Sequence, residues 1–399
     1  MRVAQRMSQI GTETAFEVSA RARALEAQGR DIIHLQIGEP DFDTPANIRE
    51  AAKRALDDGA THYAPYPGIP ALREAIAEDA AARKGFPVDA SQVFVTVGGK
   101  GVMLYAILGI VDPGDEVLVP DPGYPIYESL TRFVGGTPIP VPIRQELDFR
   151  IDLEELQSLV TPRTRLLVIN SPANPTGGVL TRSDLEAIAE LAIRHDLVVL
   201  ADEIYGRILY DGEEHVSIAS LPGMAERTIV LDGFSKTFAM TGWRLGYAIV
   251  PPSLIPTYGQ LVINTISCAP TFAQIGAVEA IRGPQEPMAA MVEEFRARRD
   301  LVVAGLNDIP GVDCRSPKGA FYAFPRVSGT GFSGKELADR LLAEAGVCVL
   351  AGTAFGGIGV DHVRISYANS RENLTAALGR IRDFVAHAGA EAAIAGSAR

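Results

Sequence analysis

The sequence has few cysteines, no excess of positive charge and no long apolar run, and each lack removes a class of protein. Its three cysteines, Cys268, Cys314 and Cys348, lie far apart and form no CxxC pair. They read as buried thiols in a reducing compartment, not as a disulfide framework or a zinc site. A formal charge of −12 at pH 7 argues against non-specific binding to nucleic acid or an anionic membrane, which needs basic patches. No run approaches the ~20 apolar residues that span a bilayer. Met1 to Val18 mixes charged and polar residues without the apolar core of a signal peptide. A cytoplasmic location is expected. The six histidines do not cluster at metal-ligand spacing, so no metal site is expected. No Ser-His-Asp or Cys-His arrangement assembles locally.

What is present is material for a large core. A chain of 399 residues, 47% hydrophobic and 22% charged, predicts a globular protein of two domains. Short apolar, β-branched runs alternate with helical patterns through the middle of the chain. The runs are Val93–Val97, Glu116–Val119, Arg165–Ile169, Leu197–Leu200, Thr228–Leu231 and Leu245–Val250. Helical patterns follow at Gly101–Ile110, Tyr124–Phe133 and Ser183–His195. The alternation predicts an α/β domain over residues 30–280 with a mainly parallel sheet covered by helices. The proline-rich stretch Thr137–Pro142 reads as an extended connector. Beyond about residue 280 a charged helix around Met291–Leu306 leads to strands at Gly319–Phe324 and His362–Tyr367 and a closing helix, Arg371–Phe384. Residues 281–399, joined by 1–29 with a helix near Ser19–Gln28, are expected to form a smaller α+β domain. The small residues from Ala388 to Arg399 read as a frayed tail.

Open α/β sheets bind ligands beyond the carboxyl ends of their strands, and that is where this chain places its polar groups. Gly98-Gly99-Lys100 follows one predicted strand, Asp121-Pro122-Gly123-Tyr124 the next, and Asn174 lies in Asn170–Gly177 after a third. Asp202 and Tyr205 follow a fourth, and Lys236 a fifth. The Gly98–Gly101 turn opens a helix whose amides and dipole can cradle a phosphate, although an ordinary glycine-rich turn reads the same way. It has no Walker A spacing, and Leu104 stands where a dinucleotide fingerprint needs its third glycine. Asp202 ends a buried run, where a carboxylate is costly without a partner. A helix N-cap is the plainer use of such a residue, and with Glu203 beside it one of the two is expected to be solvated. Arg364, flanked by apolar strand residues, is either a buried ion pair or a clamp for a carboxylate.

Lys236 stands in Gly233-Phe234-Ser235-Lys236-Thr237-Phe238-Ala239-Met240-Thr241-Gly242-Trp243-Arg244. A lysine becomes a carbonyl-attacking nucleophile where burial or a neighbouring cation lowers its pKa to roughly 7–8. Small and apolar neighbours offer burial, and Arg244 supplies a cation that also suits a phosphate. A lysine for a carbonyl and an arginine for a phosphate meet the needs of pyridoxal phosphate.

Together with Ile37–Phe42, His62–Gly68, Asn170–Gly177, Ala201–Tyr205, Gly319–Tyr322 and Val363–Tyr367, this segment resembles the class I aminotransferases of the aspartate aminotransferase superfamily, fold-type-I pyridoxal phosphate enzymes. The resemblance runs from about Asp31 to Phe384. It implies Lys236 as the Schiff-base lysine and proton shuttle, Asp202 on the pyridine nitrogen, and Asn174 and Tyr205 on the phenolic oxygen. Tyr124 would stack on the ring, with Gly99, the Lys100 backbone and Arg244 on the phosphate. Gly233 stands where relatives often carry serine, which leaves Ser235 as a further phosphate ligand or as none. Arg364 would bind the substrate α-carboxylate, with Asn174 and the Gly38 backbone. Tyr63 would reach the neighbouring subunit's phosphate, which implies a homodimer with shared active sites.

The implied substrates are an L-amino acid and a 2-oxo acid. Pro251–Gln274 holds no arginine or lysine, so preference for aspartate or glutamate would rest on Lys100 alone. Neutral or aromatic amino acids are the alternative, and a lyase, racemase or decarboxylase would reuse Lys236 and Asp202. A regulator's sensor domain on this fold would need a fused helix-turn-helix, for which the residues before Asp31 leave no room.

Overall fold

The computed structural model describes the backbone of residues 1–11 and 13–397 and the side chains of those up to Ala388. Helix α1 (Thr14–Glu26), strand β1 (Ile33–His34), α2 (Ala46–Asp57) and α3 (Pro70–Lys84) come first. An alternating series follows: β2 (Val93–Val97), α4 (Gly99–Ile110), β3 (Glu116–Asp121), α5 (Ile126–Phe133) and β4 (Thr137–Pro142). It continues with α6 (Leu153–Leu159), β5 (Thr164–Asn170), α7 (Arg182–Arg194) and β6 (Val198–Asp202). Strands β7 (Thr228–Gly233) and β8 (Leu245–Ile249) then lead to α8 (Ile255–Thr265), α9 (Thr271–Arg282) and α10 (Glu286–Asn307). The chain closes with β9 (Tyr322–Ala323), α11 (Gly334–Arg340), β10 (Val347–Cys348), β11 (Leu350–Ala351), β12 (Val363–Ser366) and α12 (Arg371–Ser397).

Strands β2 to β8 form one seven-stranded sheet in the order β2-β8-β7-β6-β5-β3-β4. Strand β8 runs antiparallel to β2 and β7, and the other pairings are parallel. Its reversal is local: the 234–244 segment turns back without the crossover helix that a parallel neighbour requires. Successive side chains alternate between two cores. Leu200 and Leu231 pack with Val102 and Ala106 of α4, whereas Val230 packs with Leu72 and Ile76 of α3 and Ala201 with Ile188 of α7. Both faces are dry, which is why these runs are apolar without alternation. Strands β11, β12 and β9 form a separate antiparallel sheet against α10 and α12, with Phe295, Phe321 and Leu374 in its core. Ala22 of α1 packs with Ile32, Leu342 and Cys348.

The expected α/β class with a mainly parallel sheet is the one observed, with four local corrections. Thr137–Pro142 is not a connector but edge strand β4, paired in register with β3 from Glu116↔Thr137 to Asp121↔Pro142. Its prolines lack donors, and only an edge strand tolerates that. The strand read over Gly319–Phe324 shrinks to Tyr322–Ala323. The stretch read as a frayed tail continues α12 as far as Ser397, as its alanine content favours; Ala398 and Arg399 lie outside the described residues. Cys314 and Cys348 are buried, but Cys268 is partly exposed.

Candidate active site

The carboxyl ends of the parallel strands converge on a cavity of about 500 Å³. Gly99 and Lys100 reach it from the end of β2, Tyr124 from β3, Asn174 from β5, Asp202 and Tyr205 from β6, and Ser235 and Lys236 from β7. Arg244 arrives at the same edge because β8 is reversed, so that its start, not its end, lies there. Gly38 and Arg364 complete the wall from outside the sheet. Tyr63 is not among these lining residues and is 91% exposed.

Lys236 sits on the cavity wall with its ammonium on the carbonyl of Gly38. Burial lowers its pKa to about 8; Glu39 opposes the change, and Arg364 and Arg244 add to it. The amine is therefore poised to lose its proton near neutrality and attack a carbonyl. A Cβ at Gly38 would stand 2.1 Å from the Tyr322 hydroxyl, so a larger residue there would have to displace that buried ring.

Asp202 is buried, and Tyr127 donates a 2.6 Å hydrogen bond to its Oδ2. Burial raises its pKa to about 6, opposed by that bond and by the Ile204 amide, while the charges of Asp232 and Glu203 raise it further. No helix follows it, so the N-cap reading does not apply. The expectation that Asp202 or Glu203 would be solvated is overturned: each is 3% exposed. They point to opposite faces of the sheet, and Glu203 meets Lys84 at 2.6 Å and His215 at 3.0 Å.

Arg364 on β12 has no acidic partner among the described residues, which removes the ion-pair reading. Its Nη1 donates to Asn174 Oδ1 at 3.0 Å and its Nη2 to the Gln36 carbonyl at 2.5 Å. The guanidinium lies 4.6 Å from the Tyr322 ring and 4.8 Å from that of Phe355. Its buried Nε has no partner. A buried, charged donor left unmatched is costly, and a carboxylate entering the cavity would satisfy it bidentately. Tyr205 shares a 2.7 Å hydrogen bond with Tyr322.

At the other end, α4 begins under the Arg244 guanidinium. Gly98, with φ of 73°, takes the turn into the helix, and a Cβ there would stand 2.5 Å from Arg244 Nη2. A helix amino terminus beside an arginine is a site for an anion. The Lys100 ammonium, at the outer rim, is paired with Glu13.

Glu13, Tyr127 and Tyr322 were not singled out from sequence. Tyr127 carries one faint signal: it lies three residues past Tyr124, and the two rings meet edge to face at 5.9 Å. Tyr322 closes the Gly319–Tyr322 motif, which gave it no role of its own, and Glu13 has no signal, because its partners lie far away in the chain.

The model of the family described as aminotransferase class I and II matches residues 30–381. The chain belongs to this family. As an aminotransferase it is an enzyme that moves amino groups, on a fold-type-I scaffold. Among its relatives, the aspartate aminotransferase of Pyrococcus abyssi is 46% identical over 88% of this chain and 91% of its own. The aromatic-amino-acid aminotransferase 2 of Thermococcus litoralis is also 46% identical, over 89% of this chain and 92% of its own. The crystal structure of an aspartate aminotransferase from Rhizobium meliloti superposes with a TM-score of 0.93 at 37% identity, covering 96% of this chain and 99% of that one. The aminotransferase match takes in every cavity residue from Gly38 to Arg364 and leaves Glu13 outside it.

Proposed function

We infer that this aminotransferase uses pyridoxal 5′-phosphate to move the amino group of aspartate or glutamate onto a 2-oxo acid, 2-oxoglutarate or oxaloacetate. The observation that carries the reading is one cavity holding a half-buried lysine with its pKa near 8 and a buried carboxylate with its pKa near 6. Each is displaced by burial, and no ion pair joins them. The residues fit the cofactor. A buried carboxylate without a cation suits a protonated pyridine nitrogen, and the Gly98 turn beside Arg244 suits a phosphate. Asp202 would hold the ring nitrogen, Asn174 and Tyr205 the phenolic oxygen, and Tyr124 the ring face. Gly99, the Lys100 backbone, Ser235 and Arg244 would hold the phosphate.

When bound, the cofactor supplies a carbonyl to take up the amino group and an electron sink that makes the substrate Cα–H acidic. Lys236 Nζ is the base that takes the Cα proton. Arg364 holds the substrate α-carboxylate with Asn174 and the Gly38 backbone, which orients the Cα–H toward Lys236. Lys100 is the cation for a distal carboxylate. Relatives named for aspartate support the acidic donor. The relative named for aromatic amino acids and the pairing of Lys100 with Glu13 favour a second reading, a neutral or aromatic donor.

The reading includes two domains, residues 30–280 and residues 1–29 with 281–399, supported by the confinement of the large sheet to residues 93–249. It also includes a cytoplasmic location and a homodimer, the latter supported by the exposed Tyr63, Tyr66 and Ile263. No helix among the described residues is long and apolar enough to cross a membrane. The test is the visible spectrum of the holoenzyme titrated with single amino acids and no oxo acid. Conversion of the bound chromophore to its aminated form by aspartate or glutamate is the expected result. Conversion by neutral or aromatic donors alone selects the second reading. A chromophore returned unaminated after turnover points to a lyase or racemase.

A further inference from the structure

We propose that Glu13 sets the substrate preference of this aminotransferase by occupying the ammonium that a distal carboxylate would use. The inference rests on the assignment of Lys100 to the distal carboxylate and refines it. Glu13 stands at the N-cap position of α1 yet makes no capping hydrogen bond. Its carboxylate turns away from the helix amides, which would otherwise stabilise it, and enters the cavity wall. There it pairs with Lys100 Nζ and accepts a 3.1 Å hydrogen bond from the Tyr124 hydroxyl.

Exposure separates the two partners. The Lys100 side chain is 46% exposed, whereas that of Glu13 is 16% exposed. The carboxylate, not the lysine, is the group drawn inward. Lys100 Nζ also lies 5.9 Å from the ring of Phe16, in the first turn of α1. Because Pro251–Gln274 supplies no arginine or lysine, a dicarboxylate that enters meets a lysine already neutralised. It must displace Glu13 or share one ammonium with a like charge, and either lowers the preference for acidic over neutral donors. Glu13 precedes residue 30, where the family match begins, whereas Lys100 lies within it.

The test compares the unaltered holoenzyme with Glu13→Gln, which keeps size and shape and removes the charge. The readout is the ratio of kcat/KM for aspartate to kcat/KM for alanine, in which any general loss of folding or cofactor cancels. The ratio should rise about fivefold, the scale of a partly exposed ion pair. The dissociation constant of maleate, a dicarboxylate with no amino group to transfer, should fall by a similar factor in calorimetry. In a Lys100→Gln background the same substitution should give no gain. A ratio that stays constant or falls in Glu13→Gln, or a gain that persists without Lys100, would overturn the proposal. An unaltered holoenzyme that transaminates no donor would overturn the function reading, and this inference with it; that failure shows before any variant is made.

Discussion

Two lysines flank the end of β6, one buried and one half-buried, and they are held in opposite ways. Lys84 is fully enclosed and meets Glu203 at 2.6 Å and Asp232 at 2.9 Å. Burial pulls its pKa down, but the two carboxylates more than reverse this and leave it raised. On the same face, burial pushes Glu203 up, and Lys84 and His215 bring it well below the usual carboxylate range. The Lys236 ammonium meets a carbonyl and no carboxylate, and its pKa falls to about 8. Asp202 has only neutral donors, and its pKa rises to about 6. Loss of solvent acts on all four. What differs is whether the chain supplies the counter-charge. Where it does, the charges are permanent and inert; where it does not, the groups are left ready for a ligand or a proton transfer.

The comparison breaks first at Lys236. Lys236→Ala should lower transamination by at least about 10²–10⁴-fold, the range for a positioned base; appreciable turnover by single-turnover kinetics would remove it from the chemistry. The opposite face should respond in stability. Lys84→Met removes the ammonium that Glu203 and Asp232 share and should cost about 3–5 kcal/mol in urea denaturation. Lys236→Met, which strands no charged partner, should leave the cofactor-free protein about as stable as the unaltered one. Equal losses at the two lysines would erase the distinction.

Asp202 sharpens it through pH. Its carboxyl has an ordinary value of 3.8 and a folded value of about 6. Between these the folded state holds the proton more tightly, so this group's contribution to stability falls as pH rises. Above about pH 6 the full penalty is about 3 kcal/mol in the cofactor-free protein. Asp202→Asn should therefore match the unaltered protein near pH 4 and exceed it at pH 7 by denaturant midpoint; a pH-independent gap would contradict the assignment. The smallest effect belongs to Tyr127. Tyr127→Phe removes one charged hydrogen bond from Asp202, should raise the Asp202 pKa further, and should reduce kcat about tenfold. A kcat loss with no displacement of the pH profile would indicate a packing role instead.

Much of this was legible along the chain. The strand-helix alternation located the sheet edge, and period-2 alternation within β6 and β7 puts Leu200, Asp202 and Leu231 on one face and Ala201, Glu203 and Asp232 on the other. That alternation was available for Asp202 and Glu203, yet it cannot reveal that Lys84, from the end of α3, buries itself against the second face. The proline-rich β4 was misread because proline lacks the donor that strand patterns presume, and only an edge position excuses it. Arg364 was ambiguous for a similar reason: its neighbours in sequence are apolar whether its partner is a carboxylate of the chain or of a ligand.

By itself, then, the order of residues determined what can be read from neighbours within a few positions: the apolar runs, the turns that end them, and the lysine segment with its fixed arginine. Those depend on local periodicity and residue chemistry. The tertiary structure alone decided which buried charges are compensated, and it alone placed Glu13 on Lys100, Tyr127 on Asp202 and Tyr322 against Gly38. The physical reason is that electrostatic state depends on the groups within a few ångströms. For these residues the relevant partners come from separate segments of the chain, brought together only when both faces of the sheet are covered.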